Sequence, residues 1–386
     1  MPDRTLFVTA STLIAISVVM IYSLSEYTVV LFDYTPMHFA LRQMAFGLFS
    51  ILLMWAIAQL DPDVWLGRLG FILFLGGLVL MMGMPFMPSS LVTEVGGAKR
   101  WIRFAGVSLA PVELFKIGFV YFLAWSFSRK IRHHSELGIK GEFRQFIPYA
   151  AFFILVMVLI AVMQKDLGQV MVLAMSLLFM LMLAGSSFRF FLVLMALAVG
   201  AFVVFIFTAQ HRVARIISWW SLAQDSILSL MPEFIASHLR VQSHDEPYQI
   251  SHSLNAIHNG GIIGTGLGSG TFKLGFLSEV HTDFILAGIA EEFGFIGVAV
   301  VTGLFVWMLK RIFTIANRTG NARYALFCVG IGLLLAFAFL LNAFGISGIT
   351  PIKGISVPFL SYGGSAMIAS AVGVGMVLMI SKKAQY

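Results

Sequence analysis

Ten stretches of about twenty mostly apolar residues, the length that crosses a bilayer as a helix, dominate the chain. They are predicted at 6–25, 41–59, 68–86, 110–128, 147–163, 168–185, 190–209, 284–309, 324–344 and 358–380. No water-driven core accommodates so many. Only 11% of residues are charged and 59% are hydrophobic, against roughly 25% charged in a soluble domain. The expected fold class is an all-α polytopic membrane protein of ten transmembrane helices, one integral membrane domain over residues 1–386. Each span must satisfy its own backbone hydrogen bonds. The first apolar run follows "MPDR" without a small-residue cleavage site, so it reads as an uncleaved span rather than a signal peptide.

An even span count puts both termini on one side, and positive charge selects the cytoplasm. Segment 129–146 carries Arg129, Lys130, Arg132, Lys140 and Arg144; segment 310–323 carries Lys310, Arg311, Arg318 and Arg323. Both are expected inside. The long segment 210–283 is then a large extracytoplasmic loop between spans seven and eight, opening with the amphipathic "HRVARIISWW". The formal net charge of +7 belongs to this loop bias and gives no reason to expect nucleic acid. Cys328 is the single cysteine, which excludes an internal disulfide. "GTGLGSG" has glycines at alternate positions and lacks dinucleotide-binding spacing. His133 and His134 are adjacent in a basic loop, which is poor evidence for a metal site. The abundant Phe and Met read as lipid-facing bulk.

Against this background the ionisable groups at membrane depth become candidates for function. The stretch Ser278 to Phe295, "SEVHTDFILAGIAEEFGF", opens the eighth span with Glu279, His281 and Asp283, and carries Glu291 and Glu292 further in. Asp283 has two readings. Thr282 or Asp283 caps the helix, or the Asp283 carboxylate accepts a proton at the membrane boundary. Glu113 and Lys116 are three apart on one helix face, which suits a self-neutralising pair or a head-group site. Lys99, Arg100 and Arg103 lie on an outer loop against the charge bias, which suits phosphate binding or simple solvation. Asp166 suits a helix cap, with Lys165 beside it. Lys353 is a lone cation in the last outer loop, where snorkelling is the plain alternative. Ser361, Tyr362 and Ser365 share the glycine-rich break "GISGITPIKGISVPFLSYGGS".

Six motifs in order resemble one family, the SEDS proteins of shape, elongation, division and sporulation. They are "GGAKRWI" (96–102), "APVELFK" (110–116), "QKDLGQ" (164–169), "YQISHSLNAIHNGGIIGTGLGSG" (248–270), "LSEVHTDFILAGIAEEFGFIG" (277–297) and "PIKGISVPFLSYGGS" (351–365). The resemblance covers nearly the whole chain. It implies a peptidoglycan glycosyltransferase that polymerises lipid II on the outer face of the bacterial inner membrane. It also implies work with a class B penicillin-binding transpeptidase and other divisome proteins among membrane lipids. The family's essential aspartate corresponds to Asp283 and its second important acid to Glu113, beside Lys116. Substrate-binding roles are expected for Glu113, Lys116, Lys99, Arg100, Arg103, Lys353, Ser361 and Tyr362. Lys353 and Lys273 resemble the division branch at the septum more than the elongation branch. Ser278 and Lys165 stand where prolines are common in the family, and the second departure argues against a role for Asp166. No cofactor signature is present; a divalent cation, Mg2+ or Mn2+, enters only as a companion to the diphosphate. A lipid II flippase is the alternative of another class, since broken helices and buried charges also describe transporters.

Overall fold

The computed structural model describes residues 1–95, 98–104, 107–130, 138–208, 210–229, 231–241, 248–352 and 354–384. Its helices are α1 (Arg4–Leu24), α2 (Glu26–Leu31), α3 (His38–Gln59), α4 (Pro62–Gly83), α5 (Pro111–Lys130), α6 (Gly138–Met157), α7 (Leu167–Leu183), α8 (Phe188–Phe207), α9 (Gln210–Leu228), α10 (Glu233–Leu239), α11 (Tyr248–Gly260), α12 (Ile285–Arg318), α13 (Ala322–Ile346) and α14 (Gly364–Ser381). Every predicted span coincides with a helix, and among the described residues eight helices are long and apolar enough to cross a membrane. The other two are α5, whose Glu113 and Lys116 lower its hydropathy, and α7, which has 17 residues.

The ends of the helices follow local rules. Asp3 caps α1 through the Leu6 amide at 2.8 Å, and Asp61 caps α4 with Pro62 in its first turn. Ser187 and Asn321 cap α8 and α13. Such caps satisfy amides that a helix leaves unpaired. Asp3 also pairs with Arg311 and donates its amide to Ser381 Oγ at 2.9 Å. Both chain ends and the α12–α13 connection therefore meet at one end of the bundle.

The core is built around α14, which is buried without interruption from Met376 to Ile380 and packs against α3, α5 and α13. α4 and α5 join through stacked rings, Phe74 on Phe122 at 4.8 Å and on Phe115 at 5.7 Å. These phenylalanines are interior packing, whereas Phe49, Phe86, Phe188, Phe207 and Phe295 are exposed, so the aromatic excess is divided between the core and the outer surface of the bundle.

Four further details depart from the expectation. The segment before α5 is a three-stranded antiparallel sheet, β1 (Val92–Val95), β2 (Ala98–Phe104) and β3 (Val107–Leu109), in the order β1-β2-β3. The chain is therefore mostly rather than wholly helical. Its short strands gave too few residues for a period-2 signal. The long segment 210–283 contains α9, α10 and α11. The last span starts at Gly364, because residues 351–352 and 354–363 run outside regular helix. The eighth span continues to Arg318, which shortens the basic connection after it. His133 and His134 lie outside the described residues.

The eighth span is also broken. Gly294 has φ 64° and ψ −163°, which divides α12 into a buried half-helix, 285–293, and a longer membrane helix. Carbonyls and amides freed by the break are taken up by the glycine-rich loop after α11. Thr265 N donates to Glu291 O at 3.0 Å and Gly266 N to Glu292 O at 2.9 Å. In return, Phe295 N donates to Gly261 O at 2.9 Å and Ile296 N to Ile262 O at 3.2 Å. Non-helical backbone at this depth survives only with such pairing. A Cβ at residue 294 would lie 2.4 Å from Ile262 O, and this backbone region is essentially confined to glycine. Gly294→Ala is expected to destabilise the fold by on the order of 2 kcal/mol or more, read as a lowered melting midpoint of the detergent-solubilised protein. An unchanged midpoint contradicts the break as described.

Candidate functional site

At the end of the bundle remote from the chain termini lies a cavity of about 570 Å³. Its walls come from six separate segments. Tyr34, His38, Phe39 and Arg42 enter from the start of α3, Arg100, Trp101 and Ser108 from the sheet, and Glu113 from α5. Gln164, Asp166 and Gln169 come from the turn before α7, Glu279, Thr282 and Asp283 from the segment before α12, and Gly354, Ser356, Tyr362 and Ser365 from the strap before α14.

Asp283 is held through its backbone. Glu279 adopts φ 61°, and its carbonyl accepts from the amides of Thr282, Asp283 and Phe284. Asn342 Nδ2 donates to Asp283 O at 2.6 Å and to Ile355 O at 2.7 Å, joining this turn to the strap. Tyr362 N donates to His281 O at 2.9 Å, a second tie between the same segments. The carboxylate faces Gly354, where φ is 63° and a Cβ would lie 3.0 Å from Oδ2. Neither Thr282 nor Asp283 caps α12. The N-cap is Phe284 and makes no side-chain bond, while Thr282 Oγ1 donates to Glu279 O at 3.0 Å. The capping reading is thus replaced: the turn at Glu279 uses the backbone, which leaves the Asp283 side chain to the cavity.

Burial raises the Asp283 pKa to about 6, and the neighbouring carboxylates of Glu279 and Asp166 push in the same direction against the opposing Arg100. Asp166 is also raised, first by burial, while Arg100 and the Gln169 amide oppose the shift. Burial lowers the pKa of His281 and favours its neutral ring.

Glu113 and Lys116 form an ion pair at 2.8 Å. Gln169 bridges them, donating from Nε2 to Glu113 Oε1 at 2.8 Å and accepting at Oε1 from Lys116 Nζ at 2.7 Å. This is a neutral, fixed cluster at the floor of the cavity. Arg100 lines the cavity and donates to Gln164 O at 2.7 Å and Lys165 O at 2.8 Å, which fastens β2 over the Asp166 turn. Asp166 accepts from Gln169 N at 3.1 Å, as a cap does, yet it also lines the cavity. Ser365 Oγ accepts from Ala110 N and donates to Ser108 O, locking α14 to the start of α5.

The structure does not gather all the expected site residues. Lys99 Nζ donates to Pro85 O at 3.3 Å, and Arg103 is exposed on β2; neither lines the cavity. Ser361 is buried, accepts from Val357 N through Oγ and from Gln43 through its carbonyl, and shapes the strap from behind. Lys353 lies outside the described residues. Tyr362, Arg100, Glu113 and Asp283 do converge. Tyr34, His38, Arg42, Gln164 and Gln169 were missed. The near repetition of Gln, Asp and Gln in "QKDLGQ" was the one available hint; residues 34–42 look like an ordinary span entrance.

Lys273 is fully buried, with Glu292 and Glu26 carboxylates each at 3.1 Å. Glu291 accepts from the Thr271 amide at 2.6 Å, the Phe272 amide at 3.0 Å and Asn259 at 3.0 Å. The two acids deep in the eighth span therefore bind the loop that leads to Asp283. Removing the Asn342 amide would strand the Asp283 and Ile355 carbonyls, each costing about 1–3 kcal/mol. Asn342→Leu is accordingly expected to lower stability by roughly 2–6 kcal/mol, and a denaturation midpoint equal to the parent's would exclude that anchoring role.

The family model for the FtsW/RodA/SpoVE cell cycle proteins matches residues 3–386. A probable peptidoglycan glycosyltransferase FtsW of Helicobacter pylori strain J99 is 47% identical over 381 residues, covering 98% of each chain. One of Geobacter sp. strain M18 is 31% identical, covering 99% of this chain and 97% of that one. Among solved structures, a chain reported under "Structural coordination of polymerization and crosslinking by a peptidoglycan synthase complex" superposes with a TM-score of 0.71 at 22% identity, covering 99% and 98%. Thermus thermophilus rod shape determining protein RodA gives 0.64 at 22%, covering 100% and 98%. These two likenesses concern the fold.

Proposed function

The chain belongs to the FtsW/RodA/SpoVE family, and on that premise we propose that it is a peptidoglycan glycosyltransferase of the FtsW type, polymerising lipid II into glycan strands for the septal wall. The observation that carries the chemistry is the Asp283 carboxylate, presented to a cavity and raised to a pKa of about 6.

Lipid II links its disaccharide to a polyprenyl chain through an α-diphosphate, and the product bond is β-1,4. One displacement accounts for the inversion. Asp283 takes the proton of the acceptor 4-hydroxyl as its oxygen attacks the anomeric carbon. The bond from that carbon to the diphosphate breaks, and the diphosphate leaves with the electron pair. A carboxylate with a pKa near 6 is a stronger base than an exposed one and is still ionised at neutral pH. Arg42 and Arg100 form the cationic side of the cavity for the diphosphate. Lys116 is engaged with Glu113 and Gln169, so this cluster orients the head group rather than supplying free charge. Lys99, Arg103 and Lys353 are assigned to the approach of the head group.

No three metal-ligating side chains form a cluster among the described residues. Were a Mg2+ or Mn2+ ion to accompany the diphosphate, Asp166 is the cavity carboxylate that would help hold it, and the ion would neutralise the phosphate leaving group.

All ten helices matching predicted spans are assigned to the membrane, α5 and α7 included, because both are enclosed by the other spans. The shared location of the chain ends supports an even crossing number. The termini are placed in the cytoplasm and segment 210–283 outside, so Asp283 meets lipid II in the outer leaflet. A class B penicillin-binding protein is the assigned cross-linking partner within the divisome, a reading supported by the synthase complex from which one structural neighbour comes. In a Cys328-free background, Tyr248→Cys is expected to react with an impermeant thiol reagent from outside. Reaction only from the cytoplasmic side reverses the topology.

General base catalysis typically contributes roughly 10²–10⁴-fold. Asp283→Asn is therefore expected to polymerise labelled lipid II at least about 100-fold more slowly while keeping the parent's melting curve. In the parent, activity should fall as pH drops through about 6 and level off above it, since only the ionised carboxylate accepts a proton. Because the folded pKa is raised, the fold binds more protons than the unfolded chain between about 4 and 6. Acidification in that window makes this group's contribution to stability more favourable, so the lost rate is not its unfolding. Parent-like rates for Asp283→Asn would remove the base assignment.

A further inference from the structure

One wall of the cavity is aromatic, and the displacement chemistry makes no use of it. Tyr34 stacks on His38 with ring centres 4.2 Å apart and planes 9° from parallel. Phe39 meets His38 edge-on at 5.2 Å and Tyr362 edge-on at 5.2 Å. All four residues line the cavity that holds Asp283. The outermost ring, Tyr34, is 44% exposed, whereas Phe39 is 9% exposed. The series thus runs from solvent into the cavity that Asp283 lines. We propose that this aromatic wall is a saccharide platform that carries the growing glycan chain past Asp283.

The backbone holds the platform in place before any ligand arrives. Asp33 sits at φ 53°, a left-handed position that aspartate tolerates better than most residues. It turns the chain so that Tyr34 N donates to Val29 O at 3.0 Å, and His38 N then closes onto Thr35 O at 2.9 Å. The exposed tyrosine is therefore fixed by two turns, not by packing into a core. Other aromatic stacks, such as Phe74 with Phe122, line no part of this cavity.

The chemistry of the lining favours a sugar over a lipid tail. The C–H face of a pyranose ring is weakly positive and packs on the negative face of an aromatic ring. Its hydroxyl edge requires hydrogen-bonding groups around the same space. Asp166, Gln164 and Glu279 line the cavity along with the aromatic wall. A polyprenyl chain would strip water from those groups and return no hydrogen bonds, at a cost. A tyrosine at the mouth also keeps its phenol in water while offering a ring face.

This inference rests on the polymerase reading. The experiment compares the parent with Tyr34→Leu, Tyr34→Phe and Tyr34→Trp, each with and without the cross-linking partner, on labelled lipid II. Leucine keeps apolar bulk and loses the ring face, while the other two keep a ring. Tyr34→Leu is expected to shorten strands and raise the lipid II concentration for half-maximal rate by roughly three- to tenfold, the scale of one aromatic contact. The acid limb near pH 6 should not move. Tyr34→Phe and Tyr34→Trp should restore strand length. A lipid-free glycan tetrasaccharide should inhibit the parent and inhibit Tyr34→Leu more weakly; sugar-free polyprenyl diphosphate should inhibit both equally. Equal strand lengths and equal tetrasaccharide inhibition overturn the platform. Weakened polyprenyl diphosphate inhibition with unchanged tetrasaccharide inhibition assigns the wall to the lipid and also overturns it. A parent that makes no strands under any condition defeats the polymerase reading itself.

Discussion

The reciprocal hydrogen bonds across the break at Gly294 are the constraint on which the site depends. A membrane helix that stops and restarts exposes carbonyls and amides where water is scarce. Here the loop after α11 takes up both sets, and it pairs with residues 291–296 much as a strand would. The half-helix 285–293 is thereby fixed at an angle that a continuous helix could not provide. Asp283 stands immediately before that half-helix. Its position is a consequence of how the break is closed.

The buried acids take their meaning from the same constraint. Glu291 and Glu292 are costly at this depth unless bonded. Glu291 collects the amides of Thr271 and Phe272, and Glu292 takes Ser23 Oγ and Lys273. Two carboxylates inside an apolar helix thus organise the loop running from Gly261 to Asp283 and tie it to α1. By contrast, the anchors of Asp283 among the described residues act on its main chain, through Glu279 and Asn342. The division separates acids that hold the fold from the acid that remains available for chemistry.

Electrostatic arrangement within the cavity follows from where these segments meet. Asp166 and Glu279 surround Asp283 with like charge, and burial adds to their effect. Arg100 moderates it while holding the Asp166 turn by backbone contacts. Glu113 and Lys116 neutralise each other, with Gln169 saturating both. A basic loop of three residues in sequence contributes only Arg100 to the cavity. Lys99 turns to Pro85 O instead, and Arg103 is exposed.

The apolar stretches by themselves determined ten helices and most of their limits, because the length of a span and the exclusion of charge are local properties of the chain. Asp283, Glu113 and Lys116 were also legible, as ionisable groups set in apolar surroundings within recognisable motifs. The sheet before α5 was not legible, since strands of three to seven residues carry too little periodicity. Nor was the break at Gly294, because a glycine among apolar residues looks the same in a continuous helix. Only the tertiary structure decided that Asp283 does not cap its helix, that Asp166 and Arg42 share its cavity, and that Lys99 and Arg103 stand apart from it. Those outcomes depend on contacts between segments distant in sequence, from Tyr34 to Ser365. Such contacts are set by the packing of the bundle and by the need to satisfy every backbone group within it.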